Sequence, residues 1–281
     1  MNCGETLILG ADGQLGRALA RLLPDATAWT EREFDLGEPA ALLAKLRTAA
    51  PATVINCAAL TDVDACEREP VRALAVNALG VQPLAAWQRE RGCRVVHLST
   101  DYLFDGTART PYPEAAAPRP LSVYGVSKWL GERWLDAEQS LVVRTSTLLG
   151  PGPASFVTKV RDWSAACAAS GRPLRVVADV VAAPTLVGDL ARALVQLLRD
   201  GVTGTVNIIN AGACSRADLA RFILAACGAG VAVADARQAE FSNPARRPVY
   251  SELALDRLRE LGITMRPWQE ALGEMLQGGR S

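Results

Sequence analysis

The chain has 281 residues, 30 basic against 30 acidic side chains and a single histidine. That length supports one large domain or a domain with a smaller lobe, and zero formal net charge without any block of like sign excludes the electrostatic footprint of a nucleic-acid binder. The opening MNCGETLILGADG breaks into glycine and charge too early for a signal peptide or a membrane span. The seven cysteines (Cys3, Cys57, Cys66, Cys93, Cys167, Cys214 and Cys227) form no CxxC pair. They read as small apolar residues in a reducing cytoplasm, not as a disulfide or zinc framework.

In chain order, TLILG (6–10) is an apolar run closed by glycine, and GQLGRALARLL (13–23) follows with helical spacing. The alternation continues with ATAW (26–29) as strand, PAALLAKLRTA (39–49) as helix and ATVINCAA (52–59) as strand. One long helix is predicted over 69–91, then the strand RVVHLST (94–100), in which His97 reads as a buried structural residue. Continuous apolar strands separated by amphipathic helices predict a parallel sheet covered on both faces, with ligands beyond the carboxyl ends of its strands. The proline-rich stretch 109–122 reads as a loop, followed by a helix over about 122–137 and the strand SLVVRTS (140–146). Beyond residue 150 the pattern loosens: a loop at 150–156, helices at 155–170, 186–200 and 215–228, a strand at 204–210 and two short helices in the tail. The expected division is a nucleotide-binding core over 1–150 and a mixed region over 151–281 that completes the sheet and forms a substrate lobe.

GADGQLG places Gly10, Gly13 and Gly16 between a strand and a helix. The first allows a tight turn, the second a close approach to a pyrophosphate, and the third close helix–strand packing, with phosphates held at the helix N-terminus beside Gln14. In that context the triplet predicts an α/β, Rossmann-type doubly wound fold binding a dinucleotide. After the second strand come Thr30, Glu31 and Arg32. An arginine there suits a 2′-phosphate and an acid suits a ribose hydroxyl, so the reading leans to NADPH while leaving NADH open.

Tyr124 and Lys128 stand four apart and share one helix face. An ammonium beside a phenol lowers its pKa, which makes tyrosine a usable proton donor to a carbonyl oxygen. Thr100 closes the strand some two dozen residues earlier and is placed to hydrogen-bond that oxygen.

With these residues, VINCAALTDVDACE (54–67), STDYLFDG (99–106), YGVSKWLGE (124–132), VVRTS (142–146), APTLVGDLA (183–191) and NPARRPVYSEL (243–253), the chain resembles an extended short-chain dehydrogenase/reductase, more narrowly the dTDP-4-dehydrorhamnose reductase family. The resemblance implies hydride transfer from NAD(P)H to the C4 ketone of a nucleotide-linked 4-keto-6-deoxyhexose. Tyr124 would be the acid, Lys128 would tune it and bind ribose, and Thr100 would orient the carbonyl. Leu15 would follow the glycine turn, Asp35 and Leu36 would contact adenine, and Ala58, Ala59 and Thr61 would line the cofactor path. Asp101, Phe104, Thr147, Lys159, Arg246 and Arg247 would face the substrate, the two arginines suiting a diphosphate. The resemblance allows a homodimer, and no metal is expected.

Two stretches depart from the family pattern. RTSTLLG puts Thr147, Leu148 and Leu149 where the family has W-V-Y, and DVVAAPT puts Val180 and Ala182 where it has glutamine and glycine. Losing an aromatic platform and an amide changes sugar recognition, which points to a keto-deoxysugar other than the rhamnose precursor. The alternatives are an epimerase or dehydratase on the same fold, and a non-catalytic NADP-binding regulatory subunit similar to methionine adenosyltransferase β.

Overall fold

A computed structural model of the chain describes residues 6–152 and 155–278; Cys3 and part of the 150–156 loop lie outside them. From the N-terminus the elements run β1 (Thr6–Leu9), α1 (Gln14–Leu22), β2 (Thr27–Trp29), α2 (Pro39–Ala49), β3 (Thr53–Asn56), α3 (Val63–Arg68), α4 (Pro70–Asn77), α5 (Gln82–Arg91), β4 (Arg94–Thr100), α6 (Val123–Glu132) and β5 (Ser140–Thr145). There follow β6 (Leu148–Leu149), α7 (Phe156–Ser170), β7 (Leu174–Val177), β8 (Val181–Ala182), β9 (Thr185–Leu186), α8 (Val187–Arg199), β10 (Gly204–Asn207), β11 (Cys214–Ser215), α9 (Arg216–Cys227), β12 (Val233–Ala236), α10 (Asp256–Glu260) and α11 (Trp268–Gly278).

Six strands make one all-parallel sheet in the order β2-β1-β3-β4-β5-β10. The chain steps outward from β1 to β2 and then returns past β1 to β3, so strand order reverses between β1 and β3. A crevice opens at the carboxyl end of such a reversal. Alternate strand residues serve opposite faces, which is why the strands are apolar throughout. Ile8, Ile55, Val96 and Val143 pack with Leu15 and Leu19 of α1 and Leu190 and Leu194 of α8. On the other face Leu7, Leu9, Val54 and Val95 meet Leu42 and Leu46 of α2 and Leu84 and Trp87 of α5.

The remaining strands pair two by two: β6 with β9, β7 with β12, and β8 with β11. Around them α7, α9 and α11 bury a separate cluster that includes Val160, Leu174, Ile223 and Leu272. These pieces form a lobe beside the sheet, while α8 and β10 return to it.

Two sequence expectations change, and the structure adds elements that were not expected. The long helix over 69–91 is two helices joined by a 3-10 turn at Leu79–Val81. Pro83 lacks the N–H that helical continuity requires and starts α5 instead. The helix expected to reach 137 stops at Glu132. Finally, α3 and the short lobe strands carry too few residues for a periodic pattern to register.

Candidate functional site

The crevice beyond the sheet has a volume of about 920 Å³. Its walls include Gly10, Gly13, Gln14, Leu15, Gly16, Arg32, Asp35, Leu36, Ala58, Ala59, Thr61, Thr100, Asp101, Tyr124, Lys128 and Thr147, so most residues singled out in the sequence meet in one place. Gly10 has a φ of 78°, which disfavours any residue with a side chain. A Cβ on Gly16 would collide with the Gly10 carbonyl oxygen, so the third glycine sets how closely α1 approaches β1. Gly13 is the N-cap of α1 and offers no side-chain cap, so the first-turn amides of the helix face the crevice uncapped. Gln14 Oε1, Ser99 Oγ and Thr145 Oγ1 are buried in the same walls without a partner. Buried polar atoms of this kind require one, and a dinucleotide crossing the crevice fits them.

Tyr124 and Lys128 are held by the way α6 is seated. Ser122 caps the helix by accepting from the Gly125 amide at 3.2 Å. A Cβ at Gly125 would collide with the Tyr102 carbonyl oxygen, so glycine lets α6 press against the chain leaving β4. Asn77 donates to Ser127 Oγ at 3.0 Å and also holds both polar backbone groups of Leu60. Arg144 of β5 grips Glu132 with two hydrogen bonds of 3.0 and 2.8 Å, and both side chains are buried. Lys128 is 3% exposed, and burial pulls its pKa from 10.5 down to about 8 despite the opposing carboxylate of Glu132 and thiol of Cys57.

His97 touches this lysine. The Ala58 amide donates to Asn56 Oδ1 at 3.1 Å, which leaves Asn56 Nδ2 to donate to His97 Nδ1, also at 3.1 Å. The other ring nitrogen lies 3.4 Å from Lys128 Nζ. Burial, then the lysine's charge, keeps the imidazole well below its ordinary pKa and therefore neutral. The strand position made it read as structural, and its contact with Lys128 depends on how β4 and α6 pack.

Thr100 Oγ1 accepts from the Tyr102 amide and donates to Asp101 Oδ1, each at 3.2 Å. Asp101 Oδ2 accepts from Ser146 and Ser251 at 2.7 and 2.5 Å. Burial pushes the Asp101 carboxyl up, and the three hydroxyls oppose that shift. Tyr124 differs from expectation. Burial dominates and raises the phenol above its ordinary value, while a hydrogen bond with Thr100 pulls it back.

Five residues chosen from the sequence do not line the crevice. Phe104 is 1% exposed and stacks on Tyr112 with ring centroids 4.2 Å apart, so it belongs to the core. Thr30 turns its amide and hydroxyl to Glu33 and closes the bend after β2. Lys159 lies exposed on α7. Arg246 is also exposed, and Arg247 pairs with Asp64 of α3 at 2.6 Å, clipping the NPARRP loop to the core. Two other arginines do line the crevice, Arg72 and Arg216, and neither stands in a stretch that carries the resemblance. Among the described residues no helix is long and apolar enough to cross a membrane.

A reversal-point crevice with an uncapped glycine turn at one end and a helical Tyr/Lys pair at the other defines an NAD(P)-dependent oxidoreductase of the extended short-chain class. The chain belongs to the dTDP-4-dehydrorhamnose reductase family: the RmlD substrate binding domain family matches residues 4–280. It is 35% identical to the spore coat polysaccharide biosynthesis protein SpsK of Bacillus subtilis (strain 168), over 97% of each chain. It is 36% identical to a dTDP-4-keto-6-deoxy-D-glucose reductase of Streptomyces niveus, covering 95% of this chain and 94% of that one. Among solved structures, the dTDP-4-dehydrorhamnose reductase of Bacillus anthracis str. Ames in complex with NADP superposes with a TM-score of 0.90 at 32% identity, covering 97% of this chain and 98% of the other.

Proposed function

We propose that the protein reduces the C4 ketone of a dTDP-linked 4-keto-6-deoxyhexose with NADPH, as a step of deoxysugar biosynthesis. The observation that carries this reading is that Tyr124, Lys128 and Thr100 share one crevice with the glycine turn. The uncapped α1 N-terminus would take the cofactor's pyrophosphate, Arg32 its 2′-phosphate, Asp35 and Leu36 its adenine, and Lys128 a ribose hydroxyl. When bound, NADPH supplies the hydride that reduces C4.

The chain's own residues handle charge and protons. Because burial raises the phenol, Tyr124 stays protonated at neutral pH and is ready to donate as negative charge grows on the ketone oxygen. Lys128, one helical turn along the same face of α6, would then stabilise the tyrosinate left behind, an interaction stronger after proton transfer than before it. With its pKa near 8, Lys128 still carries its proton in most molecules at pH 7. Asp101 is fully engaged by hydroxyls and keeps Thr100 aimed. The six cysteines among the described residues are all unpaired, which supports a reducing, cytoplasmic setting.

The test is NADPH absorbance on mixing with dTDP-4-keto-6-deoxyglucose, with and without a 3,5-epimerase. One NADPH consumed per sugar supports the reading, and the epimerase dependence identifies which ketosugar is used. No consumption with either sugar, in protein that binds NADPH, overturns it.

A further inference from the structure

Resting on the reductase reading, we propose that Arg216 anchors the diphosphate of the nucleotide-sugar. Arg216 opens α9, comes from the lobe and lines the crevice half-buried. Its guanidinium lies 5.8 Å from the centre of the Phe156 ring and is near enough to Tyr102 for its charge to oppose the effect of burial on that phenol. Among the described residues no carboxylate pairs with it.

Other covered arginines are committed elsewhere: Arg94 and Arg257, which also lack a carboxylate, donate to the backbone carbonyls of Leu198 and Thr203, and three more hold acids. Arg144 holds Glu132, Arg247 holds Asp64 and Arg266 holds Asp189. A half-buried cation with no counter-charge is costly to keep, and an anion entering the crevice removes that cost. The other arginines of the crevice stand elsewhere. Arg32 sits past β2 at the adenosine end, and Arg72 is exposed on α4 and paired with Glu69 at 3.3 Å. Arg246 and Arg247, the sequence candidates for a diphosphate, lie outside the walls.

Position supplies the second strand of support. The Tyr102 ring meets the Tyr124 ring edge-on, with centroids 5.7 Å apart, and the charge of Arg216 reaches Tyr102. One aromatic ring therefore separates the proposed acid from the cation. A pyranose whose O4 reaches Tyr124 carries its diphosphate across its own ring at a comparable span. The cofactor's pyrophosphate belongs at the glycine turn, at the other end of the crevice. A guanidinium fork matches phosphate oxygens two at a time.

The experiment compares wild type with Arg216→Gln and Arg216→Lys. It measures KM and kcat for the ketosugar, and the Kd of dTDP, thymidine and NADPH by calorimetry. Arg216→Gln should raise KM and the dTDP Kd by about 10- to 100-fold, with the loss falling on KM rather than kcat. Lysine, a point charge without the fork, should fall between. Thymidine and NADPH should bind as before. Unchanged dTDP affinity, or equal weakening of dTDP and thymidine, overturns the assignment. If Arg216→Gln no longer binds NADPH, the lysine variant decides by the same criteria. Arg216-dependent dTDP binding without ketosugar turnover would sink the reductase reading and leave this one standing. Turnover with an unchanged KM in Arg216→Gln would do the opposite.

Discussion

The sheet core and the C-terminal lobe differ in how completely their polar side chains are committed. Around the crevice the core ties several buried polar groups to other parts of the fold, while Gln14 Oε1, Ser99 Oγ and Thr145 Oγ1 in the walls have no protein partner. Arg144 fastens β5 to α6, Asn77 joins the Leu60 backbone to Ser127, and Asp101 gathers hydroxyls from Thr100, Ser146 and Ser251. The lobe is built from two-residue and four-residue strands around a separate apolar cluster, and it offers the crevice a guanidinium with no carboxylate partner. On the proposed reading, chemistry that must be held within a fraction of an ångström falls to the densely hydrogen-bonded core, and recognition falls to the lobe.

The sharpest way to break that contrast is to remove the acid. Tyr124→Phe should lower turnover by about 10²- to 10⁴-fold while leaving the NADPH Kd within a factor of about two; steady-state rates and fluorescence titration check both. Retained turnover would take the phenol out of the reaction.

Next comes the buried ion pair. Arg144→Met leaves Glu132 charged and unpartnered, and denaturant unfolding should show a loss of about 3–5 kcal/mol. The surface pair Arg259–Asp256, on α10, should matter far less: removing it is expected to cost under about 1 kcal/mol.

A graded effect is one of pH. Because burial lowers Lys128 to about 8, raising pH through that value removes its ammonium, and kcat should fall about tenfold per pH unit above it. The same depressed pKa bears on stability. Between about 8 and the ordinary lysine value the unfolded chain binds the extra proton, so this group makes the fold more stable as pH rises across that window. A pH–rate profile at saturating substrates, and unfolding at pH 7.5 and 9.5, would show the two opposite trends.

Much of the core was legible because its signals are local. Apolar strands, the glycine turn and a tyrosine four residues before a lysine are each written in a short stretch. The placement of Arg247 was hidden for the complementary reason. Its partner Asp64 lies far away in sequence, on a helix of only six residues that gives no periodic signal. Phe104 stands in the family motif yet faces the core, because Tyr112 from the proline-rich loop folds back to stack on it. His97 and Arg216 acquire meaning only when β4 meets α6 and when the lobe closes over the sheet, contacts that no spacing along the chain announces. The raised phenol of Tyr124 follows from how deeply α6 is buried, which residue types alone do not give.

The most direct measurement places the transferred atom. Incubation with the ketosugar and NADPH carrying deuterium at the nicotinamide C4, followed by NMR of the product, should show one deuterium on the sugar's C4 and a new hydroxyl there. Deuterium at any other sugar carbon, or a rearranged sugar with the label still on the nicotinamide, would contradict reduction at C4.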